Sequence, residues 1–249
     1  MKALKSFIIL LFLINESPLN AQTQSWQWAR LINDTGDVSL YCNITALPNG
    51  DNISIGSFTG KTNASVTHTL LSNGGFDICL VKRNSAGTVL WAKRFGGLAN
   101  DYGHSICLDK MGNIIIGGRF NQSITFGSTL LSSNGSDDIF LAKLDPNGNP
   151  IWANSYGGSS SGAGIVEGIY SLCTDSLNNI YSTGNFFGYL LDFGGGNIIS
   201  SGGVCSDIFI MKSDSLGTTK WVKSGKAYPV AVFDISLQFS TSSAVLSQK

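Results

Sequence analysis

Four tryptophans recur along the chain at a nearly constant spacing, and this period constrains the fold more than any other feature. Trp28, Trp91, Trp152 and Trp221 lie 63, 61 and 69 residues apart. Each opens a variant of one phrase, whose fullest form is Trp-Ala, two polar residues, an aromatic residue and Gly-Gly. A fixed period of this length indicates a tandem-repeat architecture. The period by itself indicates neither a ligand nor a reaction.

Two further blocks accompany each full repeat. Upstream of the tryptophan lies Asp-Ile-x-x-x-Lys, at residues 77–82, 138–143 and 207–212. Downstream lie a short run that contains a cysteine, a turn, and an Asn-Ile run that ends in Gly-x-Phe. Such runs, rich in β-branched and aromatic residues and bounded by Gly, Asn or Asp, are typical of β-strands. We therefore predict four strands per repeat in two hairpins: the cysteine strand with the Asn-Ile strand, and the Asp-Ile strand with the tryptophan strand.

Four antiparallel strands in roughly sixty residues match one blade of a β-propeller. Each repeat is longer than a common propeller blade, and the extra residues are 60–75, 122–136 and 188–206. Each of these connections contains Leu-Leu or Ile-Ile, which is predicted to pack on the edge of the blade. A β-helix is the rival repeat fold, but its coils are much shorter than this period. The predicted fold class is all-β, with about three four-stranded blades plus an N-terminal outer strand at 26–32, in an incomplete or open ring.

The number of repeats falls short of a closed ring. Within a propeller region at 22–225, full copies span about 36–97, 101–158 and 164–225, whereas propellers have at least four blades. Residues 226–249 lack the repeat motifs and are predicted to be an atypical C-terminal tail, either a degenerate blade completed by the N-terminal strand or a truncated end. The preferred hypothesis is a fragment of a longer propeller protein.

One combination of motifs points to a family. Gly-Gly, an acidic residue, Gly, a short strand, Asp-x-x-Gly-Asn-Ile, Gly-x-Phe and Asp-Ile-Phe-Leu-Ala-Lys follow one another in residues 96–152. This order resembles the SBBP-type repeats of secreted bacterial proteins, a family named for a seven-bladed β-propeller. The resemblance covers about residues 26–225. It implies a fold and a surface or secreted location, and no activity.

The N-terminus agrees with export. Residues 1–5 are basic, residues 6–14 are apolar, and Ala21 precedes the expected cleavage point, so residues 1–21 are predicted to be a signal peptide. The expected location is secreted or cell-surface. No other apolar run reaches the roughly 18 residues of a membrane span, so no transmembrane segment is expected after signal removal.

The composition of the chain limits the classes of partner that we expect it to bind. Charged residues make up 13% of the chain and the formal net charge is zero. Without a basic patch or a strongly basic pI, no nucleic-acid partner is expected. Cys42, Cys107 and Cys173 fall at equivalent places in successive blades, and adjacent sheets lie about 10 Å apart, too far for a disulfide. All five cysteines are therefore predicted to be free thiols.

Residues with catalytic or ligand-binding chemistry are few. His68 and His104 are the only histidines, and no metalloprotease or phosphate-loop motif occurs. The Asp145–Asn149 segment superficially resembles a calcium loop but lacks the closing Glu, so a hairpin turn is preferred. The sequence therefore predicts no catalytic residue, no cofactor and no metal ligand.

Two acidic residues recur at one blade edge. Asp101 and Glu167 each lie six positions before a repeat cysteine, and Asp37 is close to that position in the first copy. They could fix the entry of a strand by accepting backbone hydrogen bonds. Alternatively, they could line one propeller mouth and contact a cation or sugar hydroxyls, which makes them the possible ligand contacts.

The other recurring residues are predicted to be structural. The four tryptophans are expected to lie in the core, although an exposed aromatic could stack on a sugar ring. Asp77, Asp138 and Asp207 each precede a strand and are expected to be turn or strand-entry residues.

The sequence predicts a secreted or cell-surface repeat protein, a non-enzymatic scaffold for binding an unknown protein or glycan. The alternative is a carbohydrate-active enzyme or a lectin-like glycan binder that uses one propeller mouth. A nonfunctional remnant is a third possibility.

Overall fold

The structure, a computed structural model, consists of β-strands joined by turns. It describes residues 33–34, 43–158, 167–186, 191–195, 198–199, 207–225, 235–240 and 243–248. These ranges contain 19 strands and no helix, which confirms the all-β prediction. Consequently, no helix among them has the length and apolar character that crossing a membrane requires. The predicted signal peptide, the predicted outer strand at 26–32, Asp37, Cys42 and Cys205 lie outside the described residues.

The strands fall into three repeats and a C-terminal pair. The first repeat contains β1 (Asn33–Asp34), β2 (Asn43–Ala46), β3 (Asn52–Phe58), β4 (Lys61–Ser65), β5 (His68–Leu71), β6 (Asp77–Arg83) and β7 (Val89–Phe95). The second contains β8 (Asp101–Leu108), β9 (Ile114–Phe126), β10 (Thr129–Leu144) and β11 (Pro150–Tyr156). The third contains β12 (Gly168–Thr174), β13 (Ile180–Phe186), β14 (Leu191–Asp192), β15 (Ile198–Ile199), β16 (Asp207–Ser213) and β17 (Thr219–Gly225). The last pair is β18 (Ile235–Ser240) and β19 (Ser243–Gln248).

Each repeat builds one four-stranded antiparallel sheet. The strand orders are β2-β3-β6-β7, β8-β9-β10-β11 and β12-β13-β16-β17. The cysteine strand pairs with the Asn-Ile strand, and the Asp-Ile strand pairs with the tryptophan strand, as predicted. The Asn-Ile and Asp-Ile strands then pair with each other and join the two hairpins into one sheet.

The long connections within the repeats form additional hairpins. In the first repeat β4 pairs with β5 and β1, and in the third β14 pairs with β15. In the second repeat β9 and β10 extend beyond the four-stranded sheet, and their pairing continues as far as Phe126 and Thr129. Leu131 and Ile199 are buried, as expected for apolar anchors, whereas Leu71 is exposed.

The tight turns are closed by Asp and Asn side chains. Asp145 Oδ1 accepts the backbone N–H groups of Asn147 and Asn149, and Asp214 Oδ1 accepts those of Leu216 and Thr218. Gly148, which follows in the first of these turns, has a φ of 74°, a conformation that glycine adopts without steric cost. The Asp145 segment is therefore a hairpin turn.

The core lies between successive sheets. One apolar cluster joins residues of the first and second sheets, such as Ile55 and Ile116, and a second joins the second and third sheets, such as Leu141 and Ile180. Strand β8 contacts β2 and β3, and β12 contacts β8 and β9. This face-to-face stacking of four-stranded sheets is the arrangement of propeller blades.

The described strands form no closed sheet, which agrees with an incomplete β-propeller. Strand β18 contacts β12 and β13, the first two strands of the third sheet. In the same way, β12 contacts β8 and β9, the first two strands of the second sheet. The C-terminal pair therefore lies beside the third sheet, where the first strand of a further blade would begin. Whether it is a degenerate blade stays a prediction.

Candidate functional site

The two recurring acidic residues lie at one edge of neighbouring sheets. Asp101 opens β8 opposite Phe120 of β9. Glu167 immediately precedes β12, whose first residue Gly168 pairs with Asn185, next to Phe186. Both acidic side chains are buried, with 0% and 1% of their surface exposed. The equal spacing of the two acidic residues from the repeat cysteines predicted that they lie at the same edge of neighbouring sheets. In the structure, neither side chain reaches the surface.

Asp101 ties the second repeat to the first. Its Oδ2 accepts the Gly97 N–H at 2.7 Å, and its own N–H donates to the Phe76 carbonyl at 2.6 Å. Burial raises the pKa of Asp101 to about 7, against the opposing effect of the Gly97 hydrogen bond, and the charge of Asp77 raises it further. These contacts favour the strand-entry interpretation. Ligand contact by Asp101 and Glu167 stays a prediction.

The recurring aspartates of the Asp-Ile strands hold a loop and a glycine in place. Asp77 Oδ2 accepts the Asn73 N–H at 2.8 Å and an Arg94 N–H at 2.5 Å. Asp138 Oδ2 likewise accepts the Asn134 N–H at 3.1 Å. A side chain on Gly96 would overlap the Asp77 carboxyl, and one on Gly157 would overlap that of Asp138. This packing explains why the tryptophan phrase ends in glycine.

Asp207 shares this position in the third repeat. It is 3% exposed and opens β16 opposite Phe186. Asp77 likewise opens β6 opposite Phe58, and Asp138 lies within β10 opposite Phe120.

The tryptophans join neighbouring repeats. Trp91 and Trp152 are half-buried at the edge of the core rather than inside it. Trp91 lies against Gly148, and Trp152 lies against Gly217, each in the β-turn of the next repeat. Trp152 Nε1 also donates to the Ser215 carbonyl at 3.3 Å. A contact of this kind links two copies of the motif, so inspection of one copy could not reveal it.

Trp221 is also half-buried and meets Tyr181 edge-on, with ring centroids 6.3 Å apart. Trp28 lies outside the described residues.

A row of aromatic rings runs along the edge that holds Asp101 and Glu167: Phe76, Tyr102 and Tyr170 are partly exposed, and His104 is buried. The rings of Phe76 and Tyr102 lie 5.1 Å apart, and those of His104 and Tyr170 stack at 4.7 Å with an interplanar angle of 9°. Tyr102 and His104 are 6.2 Å apart, so the row crosses all three repeats. We call Phe76, Tyr102, His104, Tyr170 and the neighbouring Arg119 the aromatic rim.

Arg119 is the charged centre of the aromatic rim. Its guanidinium carbon lies 4.2 Å from the centroid of the Tyr102 ring, and Nη1 donates to Asp137 Oδ2 at 2.5 Å. Asn121 Nδ2 donates to the other oxygen of Asp137 at 3.0 Å. A cation over an aromatic face is attracted by the ring quadrupole. The aspartate and the ring together fix the planar guanidinium in one orientation.

His104 supplies an uncharged ring to this row. Burial lowers its pKa to about 3, and the nearby charge of Arg119 lowers it further. The imidazole is therefore neutral at physiological pH and acts as a stacking surface between Tyr102 and Tyr170. The sequence predicted no catalytic or metal-binding role for His104, and no local pattern pointed to Tyr102, Arg119, Asp137 or Tyr170 as site residues.

The described part of the chain contains no group of three or more His, Cys, Asp or Glu side chains arranged to hold a metal ion. Asp101 and Glu167 are both buried, so they do not offer the two accessible carboxyls with which most glycosidases work. What the rim can supply chemically is aromatic faces, a fixed guanidinium and hydrogen-bonding groups.

Three of the five cysteines are described, Cys79, Cys107 and Cys173, and none of these three forms a disulfide. Burial raises the pKa of Cys107 and raises that of Cys173 to about 12, so both stay protonated at physiological pH. Cys107 packs against the apolar cluster between the second and third sheets.

The buried aspartates predict an unusual pH dependence. Burial raises the pKa of Asp101 to about 7 and that of Asp138 to about 6, whereas an unfolded Asp titrates near 3.9. At these two carboxyls the folded state binds more protons than the unfolded state between about pH 4 and 7, whereas at His104, whose pKa is lowered to about 3, it binds fewer. The two carboxyls outweigh the one imidazole, so stability falls as pH rises through this window. We expect a lower urea midpoint at pH 8 than at pH 5.

The variant Asp101→Asn should lose part of this pH dependence and be more stable than the natural chain at pH 8. Its side-chain oxygen can still accept the Gly97 N–H. A natural chain that gains stability between pH 5 and 8, or an Asp101→Asn variant with an unchanged slope, would contradict the prediction.

The fold and these sites define the chain as a β-propeller-like repeat protein. No family model matches the sequence. The chain is 32% identical over 136 residues to an uncharacterised WD repeat-containing protein of Acanthamoeba polyphaga mimivirus. The match covers 44% of this chain and 9% of the viral protein, so the chain corresponds to a small part of that relative. WD repeats form propeller blades, which agrees with the observed sheets. The SBBP-type resemblance stays a prediction.

Proposed function

We propose that the chain is a secreted or cell-surface β-propeller repeat protein that acts as a non-enzymatic binding scaffold, with the aromatic rim as its contact surface. The observation that carries the proposal is the partly exposed Arg119, fixed between the Tyr102 ring and Asp137. Tyr and Arg dominate the residues that contribute most to binding at interfaces. A surface that is already ordered loses little conformational entropy when a partner binds.

The partner class follows from the chemistry of the rim. Partly exposed aromatic rings can pack against the apolar face of a sugar ring, and Arg119, Asp137 and Asn121 offer hydrogen-bonding groups beside them. A glycan is therefore the first partner to test, and a protein surface is the second. The proposal that the chain is exported depends only on the predicted signal peptide at residues 1–21.

Binding of the exported chain to a glycan array is expected to depend on the aromatic rim. Arg119→Ala and Tyr102→Ala should each weaken binding by about 2 kcal/mol, roughly thirtyfold, because both remove part of one contact surface. Arg119→Lys keeps the charge but not the planar guanidinium and should recover little of the loss.

Lys220→Ala serves as the matched control because Lys220 is half-exposed on the outermost strand β17, away from the rim. Thermal unfolding of each variant separates loss of binding from loss of fold. Full affinity of Arg119→Ala and Tyr102→Ala for the same glycan would exclude the rim as the contact surface. If the natural chain binds no glycan, a glycan is excluded as the partner.

A further inference from the structure

A cavity of about 500 Å³ lies between the second and third repeats, and it shares no residue with the aromatic rim. One wall is the outermost strand of the second sheet, from Ala153 to Tyr156. The opposite wall is the turn Leu216–Thr219 of the third repeat, and the Phe193–Gly195 loop closes one side. Its volume falls in the range of small-molecule sites.

The equivalent place between the first and second repeats is filled. There the Lys93 side chain lies across Gly148 and its Nζ donates to Asn149 Oδ1 at 2.6 Å, while the Pro150 ring lies against Gly127.

At the second boundary, different side chains take both of these positions. The shorter Asn154 replaces Lys93 and donates to the Gly217 carbonyl, and Thr219, which replaces Pro150, donates to the Phe193 carbonyl at 2.5 Å. In the described structure, no atom lies within 4 Å of where a Cβ on Gly194 would stand. The exchange of Lys93 for Asn154 therefore leaves this space open.

A third change alters the chemistry of the wall. Phe95 packs on Phe126 at the first boundary with ring centroids 5.1 Å apart, and Tyr156 packs on Phe193 at the second at 5.4 Å. The ring contact is kept while a hydroxyl is added. Burial raises the pKa of Tyr156, so the hydroxyl stays protonated, and it lies buried in the wall beside Asn154, Thr219 and Ser213.

The lining selects a class of ligand. None of the twelve lining residues carries a formal charge, so the walls offer an ion no counter-charge. Asn154, Ser155 and Thr218 line the walls, and their amide and hydroxyl groups can hydrogen-bond to the hydroxyl groups of a ligand, which a hydrocarbon lacks. Leu131 and Ala153 supply an apolar patch. A compact uncharged molecule with several hydroxyl groups satisfies both kinds of surface.

We propose that this inter-repeat cavity binds a small neutral polyhydroxylated ligand, such as one monosaccharide unit. The site is separate from the aromatic rim and does not depend on the function proposed for it.

The test converts the open boundary into the closed one. The double variant Asn154→Lys/Thr219→Pro introduces the two residues that the first boundary already holds, so the backbone geometry of the repeat accepts them. Binding of glucose, galactose and N-acetylglucosamine to the full chain is followed by saturation-transfer NMR. The natural chain should give a signal with at least one of these sugars, and the double variant should lose it.

Each result decides the proposal. Equal sugar signals from the natural chain and a folded double variant would overturn it, and so would the absence of any signal from the folded natural chain. Equal binding of glucuronate, which carries a charge, would overturn the assigned ligand class. A monosaccharide signal that Arg119→Ala abolishes would come from the rim and would overturn the cavity proposal. A signal that survives Arg119→Ala and is lost in the double variant would support it, so failure of the rim proposal and failure of the cavity proposal are distinguishable.

Discussion

Replacement of Phe140 by Ala is expected to lower the free energy of unfolding by about 3 to 5 kcal/mol. Phe140 is fully buried, and its ring lies 5.3 Å from that of Phe126, which in turn contacts Phe95 of the first repeat. Truncation therefore opens a cavity in the aromatic cluster that joins two sheets. The loss combines the hydrophobic transfer energy of the ring with the energy of the unfilled space.

Urea denaturation of the purified chain measures this effect. The control is Leu177→Ala, because Leu177 is 78% exposed in a hairpin turn and its truncation should change stability by less than about 0.5 kcal/mol. A Phe140→Ala variant as stable as Leu177→Ala would show that the first two sheets do not pack as described.

Replacement of Lys143 by Met is expected to cost about 3 kcal/mol, because it leaves the buried Asp109 carboxylate without its counter-charge. Lys143 Nζ lies 2.9 Å from Asp109 Oδ2, and the two side chains are 10% and 2% exposed. The same ammonium donates to the Ser215 carbonyl of the third repeat at 3.2 Å. The substitution therefore weakens both the second sheet and its contact with the next repeat.

Two further variants isolate the ion pair. Lys220→Met breaks the pair with Asp214, whose side chains are 49% and 25% exposed, and should cost less than about 1 kcal/mol because solvent screens it. Lys143→Met/Asp109→Asn removes both buried charges and should recover part of the lost stability. If Lys143→Met and Lys220→Met have the same midpoint in urea, the buried pair contributes nothing beyond a surface pair.

The pH dependence of these variants provides an independent check. Burial tends to raise the pKa of Asp109, but hydrogen bonds from Lys143 and Asn113 outweigh it and the net pKa is lowered. This carboxyl therefore stabilises the fold above about pH 4, and its contribution is lost as pH falls through the lowered folded pKa. The Lys143→Met variant should lack much of that acid sensitivity.

Much of the sheet architecture could be predicted from the sequence because it depends on local chemistry. Alternation of apolar residues places the strands, and turns such as Asp145–Asn149 close on their own side chains. Once both strands of a hairpin and their turn are known, the register of pairing has little freedom. The strand pairs of all three sheets follow from these short-range signals.

Contacts between repeats could not be predicted in the same way. The tryptophans were expected in the core, yet Trp91 and Trp152 lie half-buried against the turns of the next repeats. The partner of each is a glycine more than fifty residues away, and no local pattern encodes which turn will face which strand. The aromatic rim was missed for the same reason, since Tyr102 and Tyr170 are adjacent only because neighbouring sheets stack.

The sequence alone determined the repeat, its four strands and their pairing, because these features depend on residues close together in the chain. The tertiary structure decided which side chains of neighbouring repeats contact one another. It buried Asp101 and Glu167, aligned the aromatic rim across three sheets, and left a cavity where the shorter Asn154 replaces Lys93. Such features depend on the volumes and charges of side chains that meet across a boundary between sheets, and only the folded arrangement brings those side chains together.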